Sequence, residues 1–503
     1  MSASPIAGGG TPALQNRVYS GLKWVGITMV LLRCTRFVTT AVLTWLLLPA
    51  VFDEMTLALA VVGSLGVVRE FGLGQAYVQM KVRDDAHLAA AKDTAFTLTM
   101  AFNLGLFVLA WTAIPWIAEY YPKHPGLAPI LRVVFLTFVL DAFANTPGYI
   151  LHKDLRFRHF SATEMWAGVT NAVIAIGMAL GGLEVWSLVG GFLGSRAIQA
   201  VQLFHYSGYR PRLRIDRSIA SELFHFGKYM WGFAALSAVG GMFDRLVMGH
   251  AANIGKGELG MYGIASNLCL LPATQITFLV GRIAFPALSQ IRDDTAELRR
   301  AFLKALNHVS VLAIPVGFGL WAVAPDLVAV CYGKNFQGIA PIVAVLAFYG
   351  MLMAVASVSG PTFQAIGKPQ VLFHASLVHH AILFPLVLWL LRYGVLGVAV
   401  GIFVPLVVSS AIGFVLVARC LTLRASTLLV PIAKTLVAGG AMALCVKLLQ
   451  SALGPNTKES VRLALSVAVG VAVYFAIIRL THRDLLKEFR QTMRRTAVAS
   501  EGA

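Results

Sequence analysis

The sequence predicts an all-α protein that crosses a membrane many times. Hydrophobic residues make up 58% of its 503 residues and charged residues only 13%, whereas about a quarter of the residues in a soluble domain are charged. The mean hydropathy is +0.75. Apolar residues are grouped in runs of about twenty, the length at which a helix crosses a bilayer. These observations predict about fourteen transmembrane helices, arranged as two six-helix lobes and two further C-terminal helices.

The predicted spans follow one another without a loop long enough to form a separate domain. In the first half they cover residues 21–48, 54–79, 94–118, 128–151, 161–181 and 184–206. In the second half they cover 222–249, 257–285, 303–325, 339–363, 370–392 and 395–418, followed by 427–450 and 461–480. We therefore divide the chain into a tail (1–20), an N-lobe (21–206), a basic linker (207–221), a C-lobe (222–418), a helix pair (427–480) and a basic tail (481–503).

The charges of the connections predict that both termini lie in the cytoplasm. Lys and Arg are concentrated in alternate connections, including the linker 207–221, and the opposite connections contain few of them, such as Lys123 and Lys256. Basic connections stay on the cytoplasmic side, and two cytoplasmic termini require an even number of spans. The net charge of +18 is thus a topology signal. It does not indicate nucleic-acid binding, because the basic residues form no aromatic-interleaved stretch.

No cofactor or metal is indicated by the sequence motifs. The cysteines are far apart, form no CxxC motif and have no neighbouring pair of histidines, which argues against a zinc site or a disulfide framework. They are Cys34, Cys269, Cys331, Cys420 and Cys445. The chain contains no GxxxxGK[ST] motif, so we expect no ATP hydrolysis by the protein itself.

Arginines inside the predicted spans are the first candidates for a functional site. A cation at the centre of the bilayer costs about 2.5–3.5 kcal/mol, and such residues therefore face protein or water. Arg33 and Arg36 lie three residues apart in the first span, on one face of the helix. The planar guanidinium suits bidentate phosphate binding. We predict that this pair lines a cavity and binds an anionic substrate; the alternative is an ion pair with Glu70 or Asp141.

Other basic residues in the spans extend this predicted site. Arg69 is adjacent to Glu70, and neighbours on a helix point about 100° apart, so one of the two is expected in an ion pair. Arg196 begins a polar stripe with Gln199 and either lines the cavity or reaches the cytoplasmic interface. Lys228 is a further substrate-binding candidate that can equally extend its amine to the interface.

Asp141 is the leading candidate for ion coupling. With Thr137 and Asn145 it forms a stripe at positions i, i+4 and i+8 on the fourth span. A carboxylate at that depth either pairs with an arginine or binds a proton, so both a bridge and a coupling site remain open. Glu70 is a second coupling candidate, and Glu164 is expected at the cytoplasmic interface.

A weak internal repeat connects the two halves at a spacing of a little over two hundred residues. Lys23 in GLKWVG corresponds to Lys228 in GKYMWG, and Pro147 near the end of the fourth span corresponds to Pro361 in the tenth. Six spans followed by six in the same orientation form a parallel repeat. Such repeats place the substrate near the membrane midplane, between two bundles that can rock.

Three segments resemble a known family of transporters. They are FDEMTLALAVVGSLGVVREFGLGQAYVQ (52–79), LHKDLRFRHFSATEM (151–165) and the run from FDRLVMGH (243–250) through GMYGIASNLCLLPATQITFLVGRIAFPALSQIRDD (260–294). They are similar to the Wzx-type oligosaccharide flippases, the polysaccharide transport proteins of the multidrug/oligosaccharidyl-lipid/polysaccharide exporter superfamily. The resemblance covers nearly the whole chain.

The resemblance implies a substrate, a membrane and a direction. The substrate would be an undecaprenyl-diphosphate-linked oligosaccharide, moved from the cytoplasmic to the periplasmic leaflet of a bacterial inner membrane for exopolysaccharide, capsule or O-antigen synthesis. A polysaccharide polymerase and a chain-length regulator are the expected partners. Asp244–Arg245 matches an Asp-Arg motif of the family, which makes Arg245 a substrate-binding candidate and Asp244 a coupling candidate, unless they form an internal ion pair. Arg282 is a further candidate through the resemblance, or a topology signal.

Two other function classes remain as alternatives. A cation-coupled drug exporter of the same superfamily should have fewer arginines and more acidic residues inside the membrane than this chain has. A polytopic glycosyltransferase or polymerase usually needs a large external loop and an acidic pair near the first external connection. Asp53–Glu54 occupies that position, but the loops are short, and we interpret the pair as a polar helix start.

Overall fold

The structure is a computed structural model, and it describes residues 28, 31–70, 73–80, 84–154, 156–291, 294–368, 370–454 and 456–481. Within these ranges the chain is helical and contains no β-strand. The predicted all-α membrane fold is confirmed, with fourteen long helices in the described residues. Nine stretches of them are long and apolar enough to cross a membrane. The exact number of fourteen spans stays a prediction, and residues 1–20 and 482–503 lie outside the described residues.

Nine helices precede Gly260. They are α1 (31–46), α2 (Pro49–Glu70), α3 (Leu73–Gln79), α4 (Asp85–Tyr120), α5 (Leu127–Val134), α6 (Leu136–Lys153), α7 (Phe157–Leu180), α8 (Glu184–Ser207) and α9 (Arg217–His250). The second part begins with α10 (Glu258–Gln290) and continues with α11 (Thr295–Tyr332), α12 (Ile339–Ala356), α13 (Ser359–Ala365), α14 (Gln370–Leu390), α15 (Gly394–Cys420), α16 (Ala425–Leu453) and α17 (Glu459–Thr481).

Aspartate side chains begin three of the longest helices. Asp84 accepts a hydrogen bond from the backbone N–H of His87 at 2.6 Å at the start of α4. Asp216 caps α9 and Asp294 caps α11 in the same way. These caps satisfy backbone donors that the first turn of a helix leaves without partners. They let α4 and α11 begin in polar sequence, before the apolar runs that predicted the spans.

The chain divides into two compact units, 1–260 and 261–503. In the first unit, α4 packs on α6, α7 packs on α8, and α9 packs on α2, α3 and α4. In the second unit, α11 packs on α12, α14 packs on α15, and α16 and α17 both pack on α11. The lobe boundaries predicted from the sequence, with the linker at 207–221, stay a prediction.

The order of helices supports the predicted parallel repeat. Asp85 of α4 and Thr295 of α11 begin helices 210 residues apart, and Glu184 of α8 and Gly394 of α15 do the same. In both units the long helix is followed by a broken one, α5–α6 in the first and α12–α13 in the second, and then by a packed helix pair. Each unit therefore repeats one pattern of long helix, broken helix and hairpin.

Candidate functional site

Close packing of α7 and α8 forms one wall of the candidate site. A turn at 181–183 reverses the chain between the two helices. A Cβ atom on Gly191 of α8 would lie 2.8 Å from the Cβ of Ala175 and 3.0 Å from the carbonyl oxygen of Asn171 on α7, so glycine is needed for this approach. The resulting register puts Gln199 of α8 beside Glu164 of α7, and the Gln199 Nε2 donates to Glu164 Oε1 at 2.5 Å.

Helix α1 adds two arginines to this wall. The side chain of Leu32 lies against Gly168 of α7, where a Cβ atom would collide with it. Electrostatic interactions connect Arg36 with Glu164, which attracts it, and with Arg33 and Arg196, which repel it. Three of the predicted substrate-binding arginines therefore lie close enough together in the first unit to act on one another.

Polar contacts hold Arg196 in the same group. Its Nη1 donates to Gln199 Oε1 at 3.5 Å, and its guanidinium lies 5.6 Å from the centroid of the Phe192 ring. We call Arg33, Arg36, Glu164, Arg196 and Gln199 the arginine cluster. Arg36 is exposed and the other four are half-buried. The cluster is thus accessible from outside the helix pack, as a binding site must be.

The charges of the arginine cluster favour an anion. The cluster contains three guanidinium groups and one carboxylate. Guanidinium groups bind phosphate oxygens with two parallel hydrogen bonds. Glu164 supplies the local counter-charge that lets three cations remain together in a region of reduced dielectric.

For four predicted site residues the structure gives the helix but not the position of the side chain. Arg69 and Glu70 lie at the end of α2, Lys228 in α9 and Arg282 in α10. Their side chains are outside the part of the chain that the structure describes, so their predicted roles stay predictions.

Asp244 and Arg245 form an ion pair near the end of α9. Arg245 Nη1 lies 3.4 Å from Asp244 Oδ1 and also donates to the Gly241 carbonyl oxygen at 3.2 Å. Asp244 is buried and Arg245 half-buried. The internal pairing that the sequence left open is therefore present, and a role in substrate binding or coupling stays a prediction.

Asp141 is buried on the inner face of α6. It is 6% exposed, and Thr137 is 1% exposed on the turn before it. The Thr137 Oγ1 and the Asn145 Nδ2 are buried and have no hydrogen-bond partner among the described residues. The predicted polar stripe therefore lies inside the first unit and has unused hydrogen-bonding capacity next to a carboxylate.

Two charged residues form hydrogen bonds with the backbone of the segment that follows α9. Neither was singled out as important in the sequence. Asp53 of α2 accepts from the backbone N–H groups of Gly257 at 2.5 Å and Gly260 at 2.6 Å. Lys123 donates to the carbonyl oxygens of Ala251, Ala252 and Ile254 at 2.9, 2.6 and 3.3 Å. Asp53 thus does more than begin its own helix. Its partners are about two hundred residues away in sequence, so no local pattern predicts them.

The second unit contains an ion pair between a buried aspartate and a half-buried arginine, which the sequence analysis missed. Arg462 of α17 donates from Nε to Asp326 Oδ1 of α11 at 2.8 Å, and its Nη2 donates to the same oxygen. Gln450 of α16 donates to Asp326 Oδ2 at 3.1 Å. A buried aspartate in an apolar run was the available signal, since an isolated carboxylate at that depth requires a partner.

The described residues offer no metal centre built from histidine, cysteine or acidic side chains. They contain no group of three such residues with a suitable arrangement. All five cysteines are free thiols. The arginine cluster is therefore the strongest candidate site in the described part of the chain.

The fold defines a class: a multi-pass helical membrane protein, here with three arginines and a glutamate grouped among its helices. The chain belongs to the family described as polysaccharide biosynthesis protein, whose profile matches residues 42–341. This match includes α7 and α8 with Glu164, Arg196 and Gln199; it begins after Arg33 and Arg36 and reaches the second repeat only as far as the start of α12.

Named relatives are similar over most of the chain. The lipopolysaccharide biosynthesis protein WzxC of Escherichia coli (strain K12) is 24% identical over 80% of this chain and 81% of that protein. The succinoglycan biosynthesis transport protein ExoT of Rhizobium meliloti (strain 1021) is 27% identical over 90% of each chain. These relatives act in polysaccharide biosynthesis by their names, and the second is named as a transport protein.

Solved transporter structures share the fold. The lipid II flippase MurJ in an inward closed conformation matches with a TM-score of 0.77 and 14% identity, over 92% of this chain and 99% of that one. An inward-facing multidrug resistance transporter of the MATE family matches with a TM-score of 0.61 and 16% identity, over 78% and 94%. These likenesses confirm the transporter fold predicted from the sequence.

Proposed function

We propose that this protein is a flippase for lipid-linked oligosaccharides in polysaccharide biosynthesis. Its substrate is an undecaprenyl-diphosphate-linked repeat unit, which it moves from the cytoplasmic to the periplasmic leaflet of a bacterial inner membrane. The names of its relatives in polysaccharide synthesis support the pathway. The transporter fold supports movement across the membrane in preference to an enzymatic step.

The arginine cluster is the observation that carries the proposal. A diphosphate diester has a negative charge on each phosphate, and its transfer into hydrocarbon without partners is prohibitively costly. Arg33, Arg36 and Arg196 replace part of its hydration with fixed guanidinium donors. The three guanidinium groups of the cluster outnumber its one carboxylate, which favours an anionic head group. The polyprenyl chain remains in the lipid while the sugars pass through the polar interior.

Glu164 favours release of the substrate as well as holding the substrate-binding arginines together. In the free site its carboxylate attracts Arg36 and accepts the hydrogen bond of Gln199. A bound diphosphate competes with Glu164 for the same guanidinium groups. This competition limits the affinity, and a flippase has to let its substrate go on the far side.

The cluster also distinguishes the proposal from the drug-exporter alternative. A cationic drug would be repelled by three arginines and attracted only by one carboxylate. We infer an alternating-access cycle of the two repeats, driven without ATP hydrolysis by this chain. Asp141, and with it Glu70 and Asp244, are the proposed residues for coupling to an ion gradient. A polysaccharide polymerase and a chain-length regulator are the proposed partners downstream.

Arginine substitutions test the proposed function in cells. Arg33→Ala and Arg36→Ala, alone and together, should abolish surface polysaccharide in a strain that depends on this protein, with normal amounts of the variants in the membrane. Lysine at either position should restore part of the polymer, because the charge returns without the bidentate geometry. Arg300→Ala, an exposed arginine of α11, serves as the control and should have no effect. Normal polymer from the double alanine variant would refute the role of the cluster.

A further inference from the structure

The basic connection between α8 and α9 is fixed in place. Gly208 ends α8 with a φ of +63°, and Asp216 caps the start of α9. Between them, residues 209–216 have no helical structure. We call this segment the strap. Its length and polar anchors differ from those of the tight turn at 181–183, which only reverses the chain.

Three anchors attach the strap to the beginning of α4. The Tyr209 hydroxyl donates to Asp93 Oδ1 at 2.8 Å, and the backbone N–H of Asp216 donates to Thr94 Oγ1 at 3.0 Å. Thr97 Oγ1 accepts from the N–H of Arg214 and donates to its carbonyl oxygen, both at 3.1 Å. Burial and the nearby carboxylate of Asp93 raise the pKa of Tyr209, so the phenol keeps the proton that it donates.

Between these anchors the strap presents cationic and apolar side chains together. Arg210, Arg212 and Arg214 alternate with apolar residues and are exposed. Leu213 is 75% exposed and Ile215 52% exposed. A connection that only sets the orientation in the membrane needs the arginines but not the apolar side chains between them. A short solvent-facing connection has no reason to be held by side chains of α4 while it exposes leucine and isoleucine.

The positive charge of the strap and its exposed apolar side chains together indicate what it binds. Anionic lipids attract basic segments at a membrane surface by about 1 kcal/mol per Lys or Arg, and exposed apolar side chains beside them insert into the boundary between headgroups and acyl chains. We propose that the strap is a docking surface for the anionic phospholipid headgroups of the leaflet it adjoins, which the loop charges predict to be cytoplasmic. Its arginines bind lipid phosphates, and Leu213 and Ile215 enter the headgroup boundary.

The proposal is independent of the flippase site. The strap shares no residue with the arginine cluster. The strap contacts α4 through its three anchors and leads into α9 through the cap at Asp216. Anionic lipid bound there would hold the beginning of both helices at the membrane surface.

A fluorescent probe on the strap tests the proposal. A cysteine-free form of the full chain carrying Leu213→Cys is labelled with an environment-sensitive dye and reconstituted in vesicles of phosphatidylcholine, with or without phosphatidylglycerol. With phosphatidylglycerol we expect a shift of the emission to shorter wavelength and roughly twofold less quenching by a water-soluble quencher. Arg210→Gln, Arg212→Gln and Arg214→Gln together should remove both effects. Arg300→Gln, Arg419→Gln and Arg424→Gln together, an equal loss of charge at exposed positions of the second unit, should leave them intact.

Two outcomes overturn the proposal. One is equal quenching in both kinds of vesicle, or an effect that survives the triple strap substitution; the strap is then a topology signal alone. The other is loss of the effect in inorganic phosphate but not in chloride of the same ionic strength, which would assign the arginines to a soluble phosphate ligand. If the triple variant does not fold, Arg212→Gln alone should reduce the effect by about a third, and an unchanged effect in that folded variant equally contradicts the proposal.

Discussion

At the scale of single residues, Glu164 explains how three arginines remain near one another among membrane helices. Like charges in a region of reduced dielectric repel strongly, and Arg36 is repelled by both Arg33 and Arg196. The carboxylate of Glu164 offsets part of that repulsion, and Gln199 orients it through a hydrogen bond. Glu164 was expected at the interface, and its place in the cluster depends on the register of α7 against α8, which hydropathy does not report.

Removal of the Glu164 charge should strengthen binding and slow transport. Glu164→Gln keeps the shape and removes the negative charge that competes for the guanidinium groups, so the affinity for a lipid-linked diphosphate should rise by about tenfold, equivalent to about 1.4 kcal/mol. Turnover should fall because release becomes slower. Binding of the labelled lipid to purified protein and flipping in vesicles measure the two effects. Weaker binding by Glu164→Gln would show that Glu164 is not a competing counter-charge.

Asp141 provides a second test at the residue scale. If its carboxylate exchanges a proton during transport, Asp141→Asn should remove the dependence of flipping on a pH gradient, because the amide cannot titrate. The protein level should stay normal. Thr137→Val, a neighbouring substitution in the same buried stripe, controls for disturbed packing and should keep the gradient dependence.

The alternative role of Asp141 gives a different result. If it forms a bridge to Arg33 or Arg36, Asp141→Asn should lower the amount of folded protein, since an uncompensated buried cation is costly. Arg33→Gln or Arg36→Gln in addition should then restore the level. A well-folded Asn variant with unchanged gradient dependence would remove Asp141 from both roles.

At the scale of elements, a polar cluster connects α16 and α17 with α11 inside the second unit. Asp326 of α11 receives hydrogen bonds from Arg462 of α17 and Gln450 of α16. It is 2% exposed, so its charge depends on these partners. Three helices thus meet at one carboxylate, in addition to their apolar contacts.

Breaking this cluster should destabilise the second unit. Arg462→Gln leaves Asp326 as a buried charge with a weaker partner and should lower the free energy of unfolding by about 3 kcal/mol, the lower end of the range for a broken buried pair because Arg462 is partly exposed. Asp326→Asn in the same chain should recover much of the loss. Denaturant unfolding of the purified variants measures both, with Lys458→Gln as an exposed control. Equal stability of Arg462→Gln and the unaltered protein would contradict this account.

Much of the element order was predictable, and the exceptions have physical causes. Helix α4 begins at Asp85, whereas hydropathy placed the third span at 94–118, because capped polar turns extend a helix beyond the bilayer. The break at Phe135 between α5 and α6 lies within one apolar run. Phe135 keeps helical backbone dihedrals, and Leu127–Lys153 is one stretch long and apolar enough to cross a membrane, so the single predicted span at 128–151 agrees with the structure.

The candidate site was predictable only in part for a similar reason. The depth of Arg33, Arg36 and Arg196 in apolar runs indicated their importance. Their association with Glu164 requires the approach of α1 and α8 to α7, which depends on Gly168 and Gly191. Contacts such as that of Asp53 with Gly257 and Gly260 join distant segments, and no spacing rule in one sequence reveals them.

At the scale of the whole molecule, the internal repeat supports the proposal that the protein is a transporter. The two units follow one pattern of long helix, broken helix and hairpin, and proteins of this organisation carry substrates between two bundles. The described residues, however, do not repeat the arginine cluster in the second unit. In the part of the chain that the structure describes, the arginine cluster lies in the first unit, while the second unit has the Asp326 pair. The arginines proposed to bind the diphosphate therefore all lie in the first unit.

Flipping by the purified protein tests the central claim most directly. Vesicles with and without the protein are loaded symmetrically with an undecaprenyl-diphosphate oligosaccharide, and a membrane-impermeant reagent modifies the sugars from outside. In protein-free vesicles the inner half stays protected. With the protein, tested with and without a pH gradient, we expect nearly all of the lipid to become accessible, and Arg33→Ala with Arg36→Ala should restore the protection. Protection of the inner half in the presence of the folded, unaltered protein under both conditions would contradict the assignment as a lipid-linked oligosaccharide flippase.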